Sequence, residues 1–235
     1  MVVADPAAEL LRLVTGPGDP PAADASPADR RAAALIRRRF GLALPPPFAG
    51  APAPDGAEPI RRAVASDAAA IAAVKWRAFG ANYRGMLPDG FLDQRGIVPP
   101  ATFWLGRALL PPTPDHRLWV WGRPGNVFGY ADTGPVHPDD LDGARPGAGE
   151  VYELYVDPLT QARGGGSRLL AAAEEGFARS GFGWAELSTL TTNLPAQAFY
   201  EARGWSPTGR TIHVDLGIVA FDEHRYARPL GPIPS

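Results

Sequence analysis

Apolar residues along the chain recur at two spacings, and the switches between them mark the elements. IRRAVA from Ile60 reads as a short strand. Ser66 is placed to cap a helix in which Ile71, Val74, Ala78 and Phe79 follow at three-to-four spacing. Tyr83 to Pro114 is irregular and aromatic, with YRGMLPDGFL and TFWLGRALL as short helices. LWVWG and NVFGYADT flank Arg123-Pro124-Gly125 and read as a hairpin. A Pro/Gly-rich loop runs from Gly134 to Gly149. Beyond it VYELYV is a strand and GSRLLAAAEEGFARSG a helix, with Leu169, Leu170, Ala173 and Phe177 inward. WAELSTL is a further strand, and LPAQAFYEARG a helix ended by Gly204. The last strands are expected around Arg210–Leu216 and Arg225–Arg228. Strands and helices alternate, yet the first half is hairpin-like. The pattern predicts an α/β (α+β) domain with a mixed sheet.

Residues 1–57 follow another logic. Asp5-Pro6 opens a short helix carrying Leu10, Leu11 and Val14, and Gly16-Pro17 closes it. Ser26-Pro27 opens a second, which ends on Arg37, Arg38 and Arg39 and then Gly41, where cations suit the helix dipole. Pro45-Pro46-Pro47 and APAPDGAEP form a stiff linker. The expectation is a helical, Pro-rich extension over 1–57 and one catalytic domain over 58–235. The extension's helices are expected to dock on the core or on a second subunit, which would make a homodimer.

Composition removes whole classes of function. With 45% hydrophobic and 20% charged residues among 235, the chain can bury a core. A net charge of −2 and a pI near 6.1 provide no field to hold a nucleic-acid backbone. Cysteine is absent, so disulfides, thiolate nucleophiles and cysteine-bound zinc are excluded. The four histidines, His116, His137, His213 and His224, are scattered, and no metal is expected. No apolar run approaches the roughly 18–20 residues that span a bilayer. The N-terminus lacks a basic region and a cleavage site, so no membrane or export role is read and a cytoplasmic address is expected. Arginine supplies almost all positive charge; Lys75 is the sole lysine.

The chemistry concentrates between Glu150 and Ser180. A strand turns at Asp157-Pro158 into Gln161-Ala162-Arg163-Gly164-Gly165-Gly166-Ser167, which opens a helix directly. Three glycines in a row remove the Cβ atoms that could block a ligand. First-turn amides and the helix dipole make an anion cradle suited to a pyrophosphate. Arg163 and Arg168 add charge-assisted bonds, each worth about 1.5–3 kcal/mol. The loop has neither the GxxxxGK[ST] of a P-loop nor the GxGxxG of a dinucleotide fold.

Gln161-x-x-Gly164-x-Gly166 resembles the Q/R-x-x-G-x-G/A signature of the GNAT superfamily of N-acetyltransferases. LYVDP precedes it, and Asn193-x-x-Ala196-x-x-Phe199-Tyr200 with Gly204-Trp205 follows, similar to the family's N-x-x-A-x-x-F-Y-x-x-x-G-F/W element. The likeness runs from about Ile60 to Leu230. It implies a GNAT fold in which two parallel strands, Val151–Val156 and Trp184–Leu190, splay to admit the arm of acetyl-CoA. The resemblance implies that Leu154, Tyr155 and Val156 pair with the pantetheine amides, and that Gln161, Ala162, Arg163, Gly164, Gly165, Gly166 and Ser167 hold the pyrophosphate. Asn193 adds a contact or caps its helix, or does both. Gly165 departs from the larger apolar residue common there and is expected to loosen the loop.

Acetylating an amine needs a proton acceptor, a donor for the oxyanion and a proton for the thiolate. The resemblance places Tyr200 as general acid near the sulfur, with Phe199 as packing. Strict period-two alternation puts Glu150, Tyr152, Leu154 and Val156 on one face of the strand, with Val151, Glu153 and Tyr155 on the other. The resemblance favours Glu150, six residues before Val156, as base, with Glu153 or a water relay as alternatives, and the Leu154 N–H as oxyanion donor. Trp76, Tyr83, Met86, Leu87 and Trp104 are candidate walls of an acceptor pocket. An acidic rim of Asp139, Asp140, Asp142, Glu150, Glu153 and Asp157 would draw a cationic amine. The reading is acetyl transfer to a small-molecule primary amine in a ternary complex. A protein N-terminus or lysine as acceptor, and a non-catalytic acyl-CoA-binding module, are the alternatives.

Overall fold

The computed structural model describes residues 58–93, 99–137 and 143–231. The expected N-terminal helices, their docking and Asp139, Asp140 and Asp142 lie outside the described residues. In chain order the elements are strand β1 (Ile60–Arg62), helices α1 (Ala68–Tyr83), α2 (Asp89–Leu92) and α3 (Ala101–Leu109), and strands β2 (Arg117–Arg123), β3 (Asn126–Pro135) and β4 (Ala148–Val156). Helix α4 (Gly165–Arg179), strand β5 (Trp184–Leu190), helix α5 (Leu194–Glu201) and strands β6 (Ser206–Asp215) and β7 (Ala220–Pro229) follow. The strands form one mixed sheet in the order β1-β2-β3-β4-β5-β7-β6.

Burial of apolar stripes sets the layers. Ile71 and Val74 of α1 and Trp104 of α3 are fully buried against Val120 and Tyr130 on one face of the sheet. Leu170, Ala173 and Phe177 of α4 pack on Val151, Ala185 and Leu187 on the other. Helix α1 starts at Ala68, one residue later than the Ser66 cap predicts, and Asp67 is its N-cap. Residues Ala65–Asp67 form a 3₁₀ turn, because the fully buried Asp67 carboxylate takes two bonds from Arg61 and accepts the amides of Val64 and Gly125.

Two irregularities in β4 shape everything downstream. The first is a bulge. Asp132 of β3 pairs with Glu153, but the next residue, Thr133, pairs with Val151, which leaves Tyr152 as an extra residue. Val151 therefore packs toward α4 while Tyr155, four positions on, packs toward α1. The strict alternation expected for β4 is thus corrected: Glu150 and Glu153 share a face. His116 stacks on the bulged Tyr152 at 5.5 Å, and burial lowers the His116 pKa to about 4, so the ring is neutral.

The second is a fork. Strands β4 and β5 pair in parallel from Ala148 with Trp184 to Val151 with Leu187, and there the pairing stops. Both strands continue, β4 to Val156 and β5 to Leu190. At the base of the fork the register sets two carboxylates, Glu150 and Glu186, side by side. Arg225 from β7, 1% exposed, bonds both, and reaches Ser188 Oγ at 3.1 Å. Without that guanidinium two buried negative charges would face each other, so the clamp is a condition of the fork.

Candidate active site

The turn after β4 builds the first half of the site. Asp157 caps a 3₁₀ turn over Pro158–Thr160 by accepting the Leu159 amide at 3.1 Å, and Arg77 pairs with its carboxylate. Ala162 (φ 64°) and Gly164 (φ 79°) are left-handed, and they swing the chain so that α4 begins at Gly165. An alanine there stores about 1–2 kcal/mol of backbone strain, which occurs mostly at sites of function.

The three glycines do different work. A Cβ on Gly164 would meet nothing within 4 Å. One on Gly166 would meet the Phe199 ring at 3.4 Å, an ordinary contact. One on Gly165 would strike the buried Trp121 ring at 2.1 Å. Gly165 is therefore required by packing beneath the loop. Only Gly164 and Gly166 leave room on the open side.

Above this loop lies a cleft of about 720 Å³, within the range of small-ligand sites. It runs from the head of α4 into the fork. Gln161, Ala162, Gly164, Gly165, Gly166 and Ser167 line one end, Leu154 and Val156 the unpaired edge of β4, and Asn193 and Tyr200 the far wall. Arg163 is exposed and stands outside the lining, and Tyr155 points to the opposite face. Asn193 caps α5 by accepting the Ala196 amide at 3.2 Å and lines the cleft as well. The shape fits a coenzyme A thioester: amides at a helix head for phosphates, an open strand edge for a chain of amides, and a buried end for the thioester.

Arg203, missed from the sequence, faces the same cleft. Its guanidinium stacks on Phe199 at 3.7 Å and donates to Ser167 Oγ at 2.9 and 2.6 Å. It brings a fixed cation to the head of α4. The i, i+4 spacing from Phe199 was the available signal.

A second cleft of about 460 Å³ opens on the α1 face of the sheet. It contains Glu150 and Glu153, brought together by the bulge, with Tyr83, Tyr155 and Lys75. Glu150 is engaged by Arg225 and by the His137 amide at 2.9 Å. Glu153 accepts from Lys75 Nζ at 2.8 Å and from the Tyr130 hydroxyl. Lys75 also lies 4.2 Å from the Tyr155 ring centre. Leu87 lines this cleft, whereas Met86 lines the first. Trp76 is 46% exposed and Trp104 fully buried edge-on to Tyr130; neither lines either cleft. Glu223, also missed, faces the cleft from β7. Its neighbours Asp222 and His224 are polar, so no apolar rhythm announces a strand there, although β7 in fact begins at Ala220.

Tyrosines line both clefts. Tyr83 and Tyr155 share a hydroxyl contact of 3.2 Å in the second cleft, and Tyr200 closes the first within electrostatic reach of both. Burial pushes the Tyr200 hydroxyl well above its usual range, so it holds its proton at neutral pH. Among the described residues no group of three or more His, Cys, Asp and Glu could hold a metal ion, and no helix is long and apolar enough to cross a membrane.

Comparison with known proteins agrees with this geometry. Residues 87–205 match the model of the acetyltransferase (GNAT) family. A mycothiol acetyltransferase of Brachybacterium faecium is 28% identical over 195 residues, 81% of this chain and 53% of that protein. One from Clavibacter michiganensis is 34% identical over 137 residues, 58% of this chain and 38% of its own. The chain thus spans about half the length of the first of these relatives. Among solved structures, the PaiA N-acetyltransferase of Thermoplasma acidophilum with coenzyme A aligns at TM-score 0.55 and 14% identity, covering 73% of this chain and 98% of that one. YncA of Salmonella typhimurium with acetyl-CoA aligns at 0.54 and 22%, covering 76% and 96%. At these identities the likeness is one of fold.

Proposed function

The chain belongs to the GNAT acetyltransferase family, and from that premise we propose that it moves an acetyl group from acetyl-CoA to the primary amine of a small molecule, both bound at once. The observation that carries this reading is the fork itself. The β4 edge from Tyr152 to Val156 is unpaired toward β5, with a helix head at one end and a buried tyrosine at the other.

Acetyl-CoA supplies a thioester, an acyl group already activated for attack by an amine. The chain's own groups do the rest. The free edge at Leu154, Tyr155 and Val156 binds an extended amide-bearing arm as an added strand would. Gly164, Gly166 and Ser167, with Arg203 above them, receive the phosphates. Arg163, exposed at the rim, adds a screened charge. The Leu154 N–H is the donor proposed for the oxyanion. Tyr200 holds a proton beside the place where the thiolate departs. Glu150 and Glu153 both already accept charged hydrogen bonds, which weakens them as direct bases. Proton removal by water bound among the second cleft's carboxylates fits better. The curated relatives carry the name of a small thiol compound, mycothiol, which supports a small acceptor over a protein.

Calorimetry with coenzyme A and a thiol-release assay across primary amines test the reading. Binding at one site and amine-dependent release are expected. Absence of binding, or release that ignores the amine, would overturn it.

A further inference from the structure

The second cleft is two-sided, and that sidedness says what it holds. On the inner face of the β6–β7 hairpin, Ile212 sits opposite Glu223 and Val214 opposite Phe221. His213 and Asp222 face each other outside, hydrogen-bonded at 2.7 Å. Glu223 is thus the one charged residue of these four inward positions. Across the cleft Leu87 and Phe91 of the α2 region form a buried cluster to which Phe221 is packed. One side of the cleft is apolar.

The rest of the lining, on β4 and at the hairpin's one charged inward position, is anionic. Three carboxylates, Glu150, Glu153 and Glu223, line it with one ammonium, Lys75. Lys75 serves Glu153, and Arg225 is shared between Glu150 and Glu186. Glu223 lines the cleft together with Tyr83 and Tyr155, whose hydroxyls touch at 3.2 Å.

Resting on the transferase reading above, we propose that this cleft selects a primary amine with a single positive charge on an alkyl or aryl body. Glu223 receives the ammonium end, and the hairpin and α2 region enclose the body. A polyhydroxylated amine would bury hydroxyls against Ile212, Val214 and Phe221 without partners, and a second ammonium would lose its hydration there. Glu223 is a specificity residue on this account and is not the base.

The test compares phenethylamine, ethylamine, spermidine and glucosamine as acceptors, with coenzyme A binding measured separately. Phenethylamine is expected to show the highest kcat/KM. Glu223→Gln is expected to raise the amine KM roughly 10–100-fold, the loss of one charge-assisted hydrogen bond, with acetyl-CoA KM and melting temperature unmoved. Phe221→Ala is expected to shrink the phenethylamine-over-ethylamine preference about 10-fold. A preference for glucosamine or spermidine, or an unchanged amine KM in Glu223→Gln, would each overturn the proposal. Failure to bind coenzyme A, or no turnover of any amine, would instead strike the transferase reading, and this proposal with it.

Discussion

At the scale of single residues, chemistry and packing separate cleanly at two positions. Tyr200 is buried, yet it lines the first cleft. If it protonates the leaving thiolate, Tyr200→Phe should lower kcat about 10²-fold or more while leaving coenzyme A affinity near normal. Equal loss of affinity in a binding titration would make it a packing residue. Gly165 is the converse. Gly165→Ala drives a Cβ into Trp121, and overpacking of that kind costs roughly 1–3 kcal/mol, read as a fall in melting temperature. Gly166→Leu has room below it but fills the cleft, so it should lower coenzyme A affinity more than stability. The reverse pattern in the two variants would refute the division. Sequence shows three glycines alike; the ring of Trp121, more than forty positions away, distinguishes them.

At the scale of elements, the fork depends on Arg225 crossing from β7 to the β4–β5 base. Removing it leaves Glu150 without its guanidinium partner and Glu186 with only the half-exposed Arg145, 3.9 Å away. Arg225→Met should therefore cost about 3–5 kcal/mol in denaturant unfolding. Adding Glu150→Gln and Glu186→Gln should recover part of that loss, because the variants share one network and are not additive. No recovery would mean that the arginine acts through packing alone. Helices α1, α4 and α5 were legible from apolar spacing, since a helix buries one stripe whatever its partner. The Tyr152 bulge was not. It arises from how β4 meets Asp132 and Thr133 on β3, and no local pattern within VYELYV encodes it.

At the scale of the whole molecule, two clefts border strand β4, the first at Leu154 and Val156 and the second at Glu150, Glu153 and Tyr155. A chain without cysteine, and with room for both ligands, favours direct transfer. Initial rates with acetyl-CoA and amine varied together should give intersecting reciprocal plots; parallel lines would demand an acyl-enzyme and refute it. Sequence alone determined the mixed α/β class, the helix head at Gly164–Ser167 and the family, since those rest on local spacing and on backbone groups that neighbours in the chain dictate. Tertiary structure alone decided that Glu150 and Glu153 share a face, that Trp104 is core, and that Arg203 and Glu223 border the clefts. Each of these depends on register between strands or on contacts across the sheet, where partners far apart in the chain are chosen by the fold's global packing.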